Sequence, residues 1–391
     1  MKKLLITILG ILINSVTVTA QQNIADSLDH QSYQRKYIVH LPPTYSNSVA
    51  TPVVIVLHGG SGNYQSVQGF TQMNFVSNQN NFLAVYPQGQ GSAPPGFSWA
   101  DGRNTTADQA GIDDVGFINK LIDTLQTSFN VDTNKIYICG FSNGGFMVQR
   151  LACQTPEKFT AFGGLGCSID TSLIQTCNPS KPVPMAYFSG TGDPEVPYSG
   201  GSMTNPVVTP IVPVDTAVQF WVNHNNCQTA VPVVFVPDTV QSDSSTVEFY
   251  KYTNCDCNAD FYFYKIINGG HTWPGVPISM FPQLGNTNED VYASYALWDF
   301  FNQFALFNTV NSIDNHLMEN KLLVYPNPTY DILYIETNGM PTKVSIYNLM
   351  GKKLLEKKSA KINLETIPKG IYVLKVELKG NESTILKVIK K

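Results

Sequence analysis

The sequence predicts an α/β protein with a mostly parallel sheet and helices on both faces, followed by a small all-β sandwich. Two patterns and a charge boundary point to this. Apolar runs of strand length alternate with segments of helical period up to about Phe304, the pattern of a sheet covered on both sides. Past about Asn311 the helical period stops, and short apolar runs alternate with turns rich in Pro, Asn and Gly, the pattern of a small sandwich. Charge changes at the same place. From Leu322 onward there are 12 basic and 6 acidic residues, against 11 basic and 23 acidic between Gln21 and Lys321.

Length and composition allow two cores. The chain has 391 residues, of which 43% are hydrophobic and 14% charged, which excludes long disorder, collagen and coiled coil. An acidic body lacks the basic face that phosphate contacts require, which makes it a poor binder of nucleic acid or anionic membrane, and no nucleic-acid partner is expected.

Residues 1–20 read as an export signal. Lys2 and Lys3 precede the apolar run Leu4 to Ile13, and Val18-Thr19-Ala20 supplies small residues for cleavage before Gln21. That run is too short to span a bilayer, and no later segment reaches about 18 apolar residues. No stable membrane insertion is expected, and the mature chain is expected to be secreted.

In the body, residues 21–310, strands are predicted at Tyr37 to Leu41, Val53 to Leu57, Phe82 to Tyr86, Ile136 to Cys139, Met185 to Phe188, Val247 to Tyr252 and Phe261 to Ile266. Val115, Ile118, Ile122, Leu125 and Phe129 recur at alternating spacings of three and four and form one face of a helix. Asp113 and Asp114 supply its N-cap charge, and Asp215 reads as the cap of another helix. Further helices are predicted at Val214 to Val222 and Glu289 to Phe304. Residues 311–321 read as a linker. In the sandwich, residues 322–391, strands are predicted at Leu322 to Tyr325, Ile332 to Glu336, Lys343 to Tyr347, Ile371 to Leu378 and Thr384 to Ile389.

All seven cysteines lie in the body, and an exported chain permits disulfides. Cys139 ends a buried-type strand and is expected to be a free thiol. Cys227 with Cys255 or Cys257, and Cys167 with Cys177, are the expected bridges.

The chemistry starts at Gly140-Phe141-Ser142-Asn143-Gly144, which matches G-x-S-x-G between a predicted strand and the helical stretch Gly145 to Gln154. A tight strand-to-helix turn lifts the serine hydroxyl clear of the sheet, and small flanking residues permit the turn. Such a nucleophile needs an acid and a histidine, which follow it in that chain order in this architecture. Of six histidines, His30, His40 and His58 precede Ser142 and His316 falls in the linker. His224 reads as a solvated helix end. His271 follows a strand and Gly269-Gly270, on a loop that reaches the sheet edge, and is the expected base. Asp193 follows the strand at Met185 through a tight turn, at the carboxyl end where ligands gather. Glu195 is its nearest rival. His58-Gly59-Gly60-Ser61-Gly62 follows the strand at Val53 and resembles an HGGG-type loop. The oxyanion donors are therefore expected to be the N–H groups of Gly60, with Gly59 as rival, and Asn143. Trp99, Tyr198 and Trp273 are the candidate substrate-binding aromatics. No P-loop and no H-E-x-x-H is found, and Cys255-Asp256-Cys257 lacks a second ligand pair. No cofactor and no metal are expected.

These residues resemble the secreted polyhydroxybutyrate depolymerase and feruloyl esterase group of α/β-hydrolases. The resemblance rests on Val56-Leu57-His58-Gly59-Gly60, Tyr86-Pro87-Gln88-Gly89, Asp113-Asp114-Val115-Gly116-Phe117, Gly140 to Gly145, Gly192 to Tyr198 and Gly269 to Gly275. It implies an ester hydrolase with Ser142, Asp193 and His271 as nucleophile, acid and base. Many members have Cys where this chain has Gly60 and Gly where it has Asn268. The first departure removes a disulfide partner. The tail resembles the C-terminal sorting domain of the type IX secretion system through Tyr325-Pro326-Asn327-Pro328, Val344 to Asn348, Gly351 and Gly370-Ile371-Tyr372. It implies passage across a Gram-negative outer membrane and later removal of the tail.

The expected function is a secreted serine esterase acting on a polymeric substrate, with feruloyl or acetyl esters of plant polysaccharide first and hydroxybutyrate polymer as the alternative. An inactive hydrolase scaffold acting as a binding protein would have lost a triad residue. A peptidase of similar fold would carry an extra domain or a charged pocket. Neither feature is found.

Overall fold

In the computed structural model the described residues are 22–203, 208–276 and 282–305 and, in the tail, 323–325, 329, 331–336, 341–348, 352–377 and 383–390. The expected export signal and linker lie outside them. The chain divides into two compact units, Met1–Asn308 and Thr309–Lys391.

The first unit is built on a ten-stranded sheet. Its strands are β1 (Gln22–His30), β2 (Tyr33–Leu41), β3 (Thr51–Leu57), β4 (Leu83–Pro87), β7 (Val131–Phe141), β8 (Ala161–Leu165), β9 (Met185–Gly190), β10 (Thr229–Phe235), β11 (Thr246–Thr253) and β12 (Phe261–Ile267). A short hairpin, β5 (Gly91–Ala93) and β6 (Gly96–Ser98), stands apart. The order is β1-β2-β4-β3-β7-β8-β9-β12-β11-β10. The six strands from β4 to β12 run parallel, and each edge is closed by two antiparallel strands.

Alternate residues of the central strands enter different cores, as the two-residue period of a strand requires. Val53, Ile55 and Leu57 pack with α4 (Asp114–Ser128), α5 (Asn143–Gln154) and α7 (Val214–His224) through Phe117, Leu121, Phe146 and Trp221. Val54 and Val56 pack on the other face with α1 (Tyr64–Thr71), α2 (Met73–Asn80) and α8 (Ala293–Phe301) through Val67, Met73, Val76 and Leu297. The remaining helices, α3 (Thr106–Gln109) and α6 (Leu173–Thr176), are single turns.

Asp113 and Asp114 do supply the charge at the start of α4, Asp113 as the N-cap accepting Gly116 N–H and Asp114 in the first turn, where it is fully buried and also takes a hydrogen bond from Arg35. Several expectations are corrected. Pro213, not Asp215, is the N-cap of α7. Strands β1, β8 and β10 and the β5–β6 hairpin are not among those predicted. The bridges are Cys153–Cys177 and Cys227–Cys255, so Cys177 pairs with Cys153 rather than Cys167. The Cys167 thiol is fully buried behind the helix that follows Ser142, where desolvation pushes it up to about 12. Cys139 is the buried free thiol expected, and Cys257 is free and exposed.

β10, at one sheet edge, carries a bulge where Pro232 and Val233 stand opposite Tyr250 alone. Beyond it Val234 and Phe235 are exposed.

The second unit forms two small sheets. β13 (Leu323–Tyr325), β14 (Ile332–Glu336) and β17 (Lys361–Asn363) make one, and β15 (Lys343–Tyr347), β16 (Lys353–Lys357), β18 (Gly370–Glu377) and β19 (Ser383–Lys390) make the other. Leu333 and Ile335 from one sheet share a core with Val344, Leu374 and Val388 from the other, which makes a β-sandwich. Its lysine-bearing strands β16 and β17 are additions to the predicted set.

Candidate active site

Strand β7 ends at Phe141, and Ser142 turns the chain into α5 with φ 54° and ψ −122°. A non-glycine residue held there stores about 1–3 kcal/mol of strain. The turn is tight enough to dictate its glycines. A Cβ on Gly140 would lie 2.3 Å from Gly144 O, and one on Gly144 would lie 2.5 Å from His58 O and 2.6 Å from Leu57 O. Ser142 N–H is anchored to Leu165 O at 2.9 Å, and its side chain makes no capping hydrogen bond. The hydroxyl thus sits at the start of a helix, where the first N–H groups lack intrahelical acceptors.

Asp193 and His271 come together from the ends of neighbouring parallel strands. β9 leads into the turn holding Asp193, and β12 leads into the loop holding His271. The two loops are stitched by Thr191 N–H to Ile266 O, Gly192 N–H to Gly269 O (both 2.9 Å) and Asn268 N–H to Thr191 Oγ1 (2.8 Å). His271 Nδ1 lies 2.7 Å from Asp193 Oδ2, and both side chains are buried. Asp193 Oδ1 accepts the N–H groups of Glu195 (2.9 Å) and Val196 (2.8 Å). Glu195 therefore serves this pair with its backbone, not its carboxylate. The His271 ring packs on Phe141, the residue before the serine, at 4.7 Å between centroids.

The other described histidines are committed elsewhere. His30 bonds to Asp113, His40 to Asn23 and Asn78, and His224 to Lys181 O; His316 lies outside the described residues.

The glycine loop lies against the serine turn. An ideal Cβ on Gly59 would be 3.3 Å from Ser142 Cβ, and one on Gly60 would be 3.7 Å from Asn143 Cβ. His58 fixes this loop. Gly89 N–H donates to His58 Nε2 at 2.9 Å, so Nδ1 carries the proton and donates to Gly59 O at 2.7 Å. Burial holds His58 down to about 4, so it is neutral at ordinary pH.

Asn143 is buried and held by Trp99 N–H to its Oδ1 (2.7 Å) and by its Nδ2 to Asp101 Oδ2 (2.5 Å). Asp101 is in turn paired with Arg103, whose guanidinium lies over Phe146. Arg35 bonds both to Gln88 O (3.1 Å) and to Asp114, and Asp114 accepts Ala100 N–H (2.7 Å). Sequence reasoning misses these polar braces. Gln88 and Asp114 stand in segments that carry the family resemblance, but without the fold no role attaches to them.

The three candidate aromatics do not converge on the serine. Trp99 and Trp273 have no exposed surface. Trp99 donates its indole N–H to His58 O, and Trp273 donates to Ser294 Oγ. Both are buried core residues: Trp99 packs on His58, which corrects its expected place in the wall of a pocket, while Trp273 lies at the base of a depression it shares with Thr71, Phe75 and Tyr292. Tyr198 is half-buried, bonds to Asp215 and lies 5.1 Å from the Lys265 ammonium.

Comparison with known proteins finds esterases. Residues 45–235 match the phospholipase/carboxylesterase family of α/β-hydrolases, and residues 323–391 match the secretion system C-terminal sorting domain. The chain is 30% identical over 239 residues to the protein named probable feruloyl esterase C of Aspergillus clavatus, covering 61% of this chain and 75% of that protein. It is 27% identical over 241 residues to feruloyl esterase B of Piromyces equi, covering 61% of this chain and 42% of that protein. A third relative is the bifunctional acetylxylan esterase/xylanase XynS20E of Neocallimastix patriciarum, 28% identical over 148 residues, 38% of this chain and 20% of that protein. A strained serine turn on an open parallel sheet, a sorting tail and relatives of this kind have one common reading: the chain belongs to the α/β-hydrolase esterases that include the feruloyl esterases, and is a secreted carboxylic-ester hydrolase bearing a type IX sorting domain.

Proposed function

We propose that this esterase removes feruloyl or acetyl groups from neutral plant polysaccharide through an acyl-enzyme on Ser142. The observation that carries the mechanism is the buried Asp193–His271 pair beside the strained serine turn. With Nδ1 committed to Asp193, Nε2 is the nitrogen left to accept a proton. Ser142 Oγ attacks the ester carbonyl carbon, and its proton passes to His271 Nε2. The carbonyl oxygen becomes an oxyanion that accepts the N–H groups of Gly60 and Asn143. The bond to the alcohol oxygen then breaks, His271 protonates that oxygen, and the acyl group stays on Ser142. Water attacks the acyl carbon, returns a proton through His271, and releases the free acid.

Three things support the substrate class. The relatives carry the names feruloyl esterase and acetylxylan esterase. The acidic body is poor company for an anionic polymer, and secretion suits a substrate too large to enter a cell.

The test is to assay methyl ferulate, acetylated xylan and hydroxybutyrate oligomers side by side, with Ser142→Ala as control. Turnover of either of the first two, falling by several orders of magnitude in Ser142→Ala, is expected. Near-wild-type hydrolysis by Ser142→Ala would overturn the mechanism, and faster turnover of hydroxybutyrate oligomers would overturn the substrate.

A further inference from the structure

The two oxyanion donors sit on different loops, and one short segment holds both loops. Residues Trp99 to Arg103 follow the β5–β6 hairpin. The Trp99 indole N–H donates to His58 O at 2.9 Å, at the start of the loop that carries Gly60. The backbone of the same residue pairs with the side chain of Asn143. Its N–H donates to Asn143 Oδ1 (2.7 Å), and its carbonyl accepts Asn143 Nδ2 (3.2 Å). Asn143 Nδ2 also donates to Asp101 Oδ2 at 2.5 Å. Both ends of the amide are therefore engaged, and the side chain is buried.

Asp101 is held just as closely. Its Oδ1 accepts the Arg103 N–H (3.0 Å), and its Oδ2, besides Asn143, accepts Arg103 Nε (3.1 Å) and Nη2 (2.6 Å). Both residues are buried, and the Arg103 guanidinium lies 3.4 Å from the ring centre of Phe146, three residues along α5 from Asn143. A buried pair of this kind is a poor source of stability, because desolvation cancels most of its attraction. What it does fix is where the acceptor for Asn143 stands. The serine turn itself does not ask for asparagine. Gly140 and Gly144 are dictated by lack of space, whereas the residue after the serine has only to supply an N–H.

Asn143 opens α5, so its N–H has no intrahelical acceptor and is free to meet a ligand. The direction of that N–H follows the torsions that the clamped side chain fixes. A misplacement of about 1 Å in a group that meets the transition state can cost about a hundredfold in rate. Arg103 has a second effect. A bare carboxylate bonded to Asn143 would oppose an oxyanion forming on that residue's N–H, and the guanidinium cancels its charge. We infer that Asp101, balanced by Arg103, is a positioning residue for ester hydrolysis, acting through the Asn143 side chain to aim the Asn143 N–H at the oxyanion. This rests on the Ser142 acyl-enzyme reading above.

The experiment measures kcat and KM of the full chain on methyl ferulate and 4-nitrophenyl acetate, and the inhibition constant of phenylboronic acid, with thermal melting to confirm folding. Boron takes up Ser142 Oγ while the hydroxyl proton passes to His271, which leaves a tetrahedral anion with one oxygen in the oxyanion's place. Asp101→Ala should lower kcat about a hundredfold on both esters and leave KM within about twofold. It should also weaken phenylboronic acid by at least about tenfold, because the adduct mimics the transition state. If the alanine chain melts early, Asp101→Asn keeps the volume and should show the same pattern at about tenfold in kcat. Asn143→Ala keeps the N–H but removes the side chain through which Asp101 acts, so adding Asp101→Ala to it should cost less than about threefold more. A dead Ser142→Ala beside wild-type kcat in both Asp101 variants would overturn the positioning role and leave the acyl-enzyme standing. Loss confined to KM or to one ester, unchanged inhibition by phenylboronic acid, or full additivity with Asn143→Ala would overturn it as well. Undiminished hydrolysis by Ser142→Ala would overturn both readings together.

Discussion

Replacing Asp193 by Asn tests the proposed roles through the orientation of a single amide. The carboxylate has two distinct ends. Oδ1 accepts two backbone N–H groups, from Glu195 and Val196, and Oδ2 faces His271 Nδ1 at 2.7 Å. An asparagine has one oxygen, and the two backbone donors require it at Oδ1. Its NH2 group then points at His271 Nδ1, where a donor meets a donor. The imidazole escapes the clash by moving its proton to Nε2, the nitrogen that must accept from Ser142. The substitution is isosteric, so the folded state persists with its base in the wrong tautomer. Loss of the correct tautomer in a triad costs about 10⁴ in kcat, or about 5.5 kcal/mol of barrier. Asp193→Ala removes the carboxylate without imposing the wrong tautomer, so it should be no worse than Asn. Glu195→Gln should stay within about twofold of wild type, because only its backbone is used. The assay is kcat on methyl ferulate between pH 6 and 9, with thermal melting to confirm folding. An Asp193→Asn enzyme retaining more than about a tenth of wild-type kcat would refute the triad assignment.

Other outcomes follow from local geometry. Gly144→Ala drives a methyl into the Leu57 and His58 carbonyls and should lower stability by about 2–3 kcal/mol with a large loss of activity; an unchanged melt would argue against so tight a turn. Cys153→Ser opens a bridge whose cysteines are 24 residues apart and should lower unfolding free energy by about 3.5 kcal/mol in denaturant titration. Burial lowers His58 to about 4 from an unfolded value of about 6.5, so the unfolded state takes up a proton first as pH falls. Its contribution is complete above about pH 6.5 and is lost toward pH 4, about 3 kcal/mol in all. Denaturation midpoints at pH 4.5 and 7 should therefore differ more in wild type than in His58→Asn, and equal differences would remove His58 as the cause. A chain of residues 21–311 is expected to melt cooperatively and keep full activity on methyl ferulate; a folded but inactive product would mean the tail completes the site.

What the sequence makes legible is local. Ser142, Asp193 and His271 each follow a hydrophobic strand through a short glycine-bearing turn, so strand ends and chain order are enough to pick them out. Two-sided burial of the central strands is readable for the same reason, since Val53 to Leu57 is apolar at every position. The failures are of other kinds. β8 escapes notice because Gly163-Gly164 reads as a turn, whereas a Cβ at Gly163 would lie 2.5 Å from Leu297 Cδ2: glycine stands there to let a helix close on the sheet. β10 is hidden by its proline and β1 by its charges. Trp99 and Trp273 lie in loops at the proposed site, but sequence does not say which way a large ring turns, and both turn inward. Cys177 finds Cys153, half-buried near the end of α5, whereas Cys167 is fully buried against Gly145 at the start of that helix. The braces on Asn143 and His58 join residues more than 30 apart, and no spacing rule reaches them.

The bulged edge of the sheet has a bearing on solubility. β10 ends in Val233-Val234-Phe235, with Val234 and Phe235 exposed on a strand that, among the described residues, has a strand neighbour on one side alone. A flat apolar edge of that kind is a template onto which another chain can add a strand. Pro232 has no N–H to offer such an intruder, and the bulge it shares with Val233 twists the strand out of line. The distortion that hides this strand from the sequence pattern therefore acts as a gatekeeper. In a protein that must stay dispersed outside the cell, without chaperones to dissolve its aggregates, that proline guards colloidal stability more than the fold.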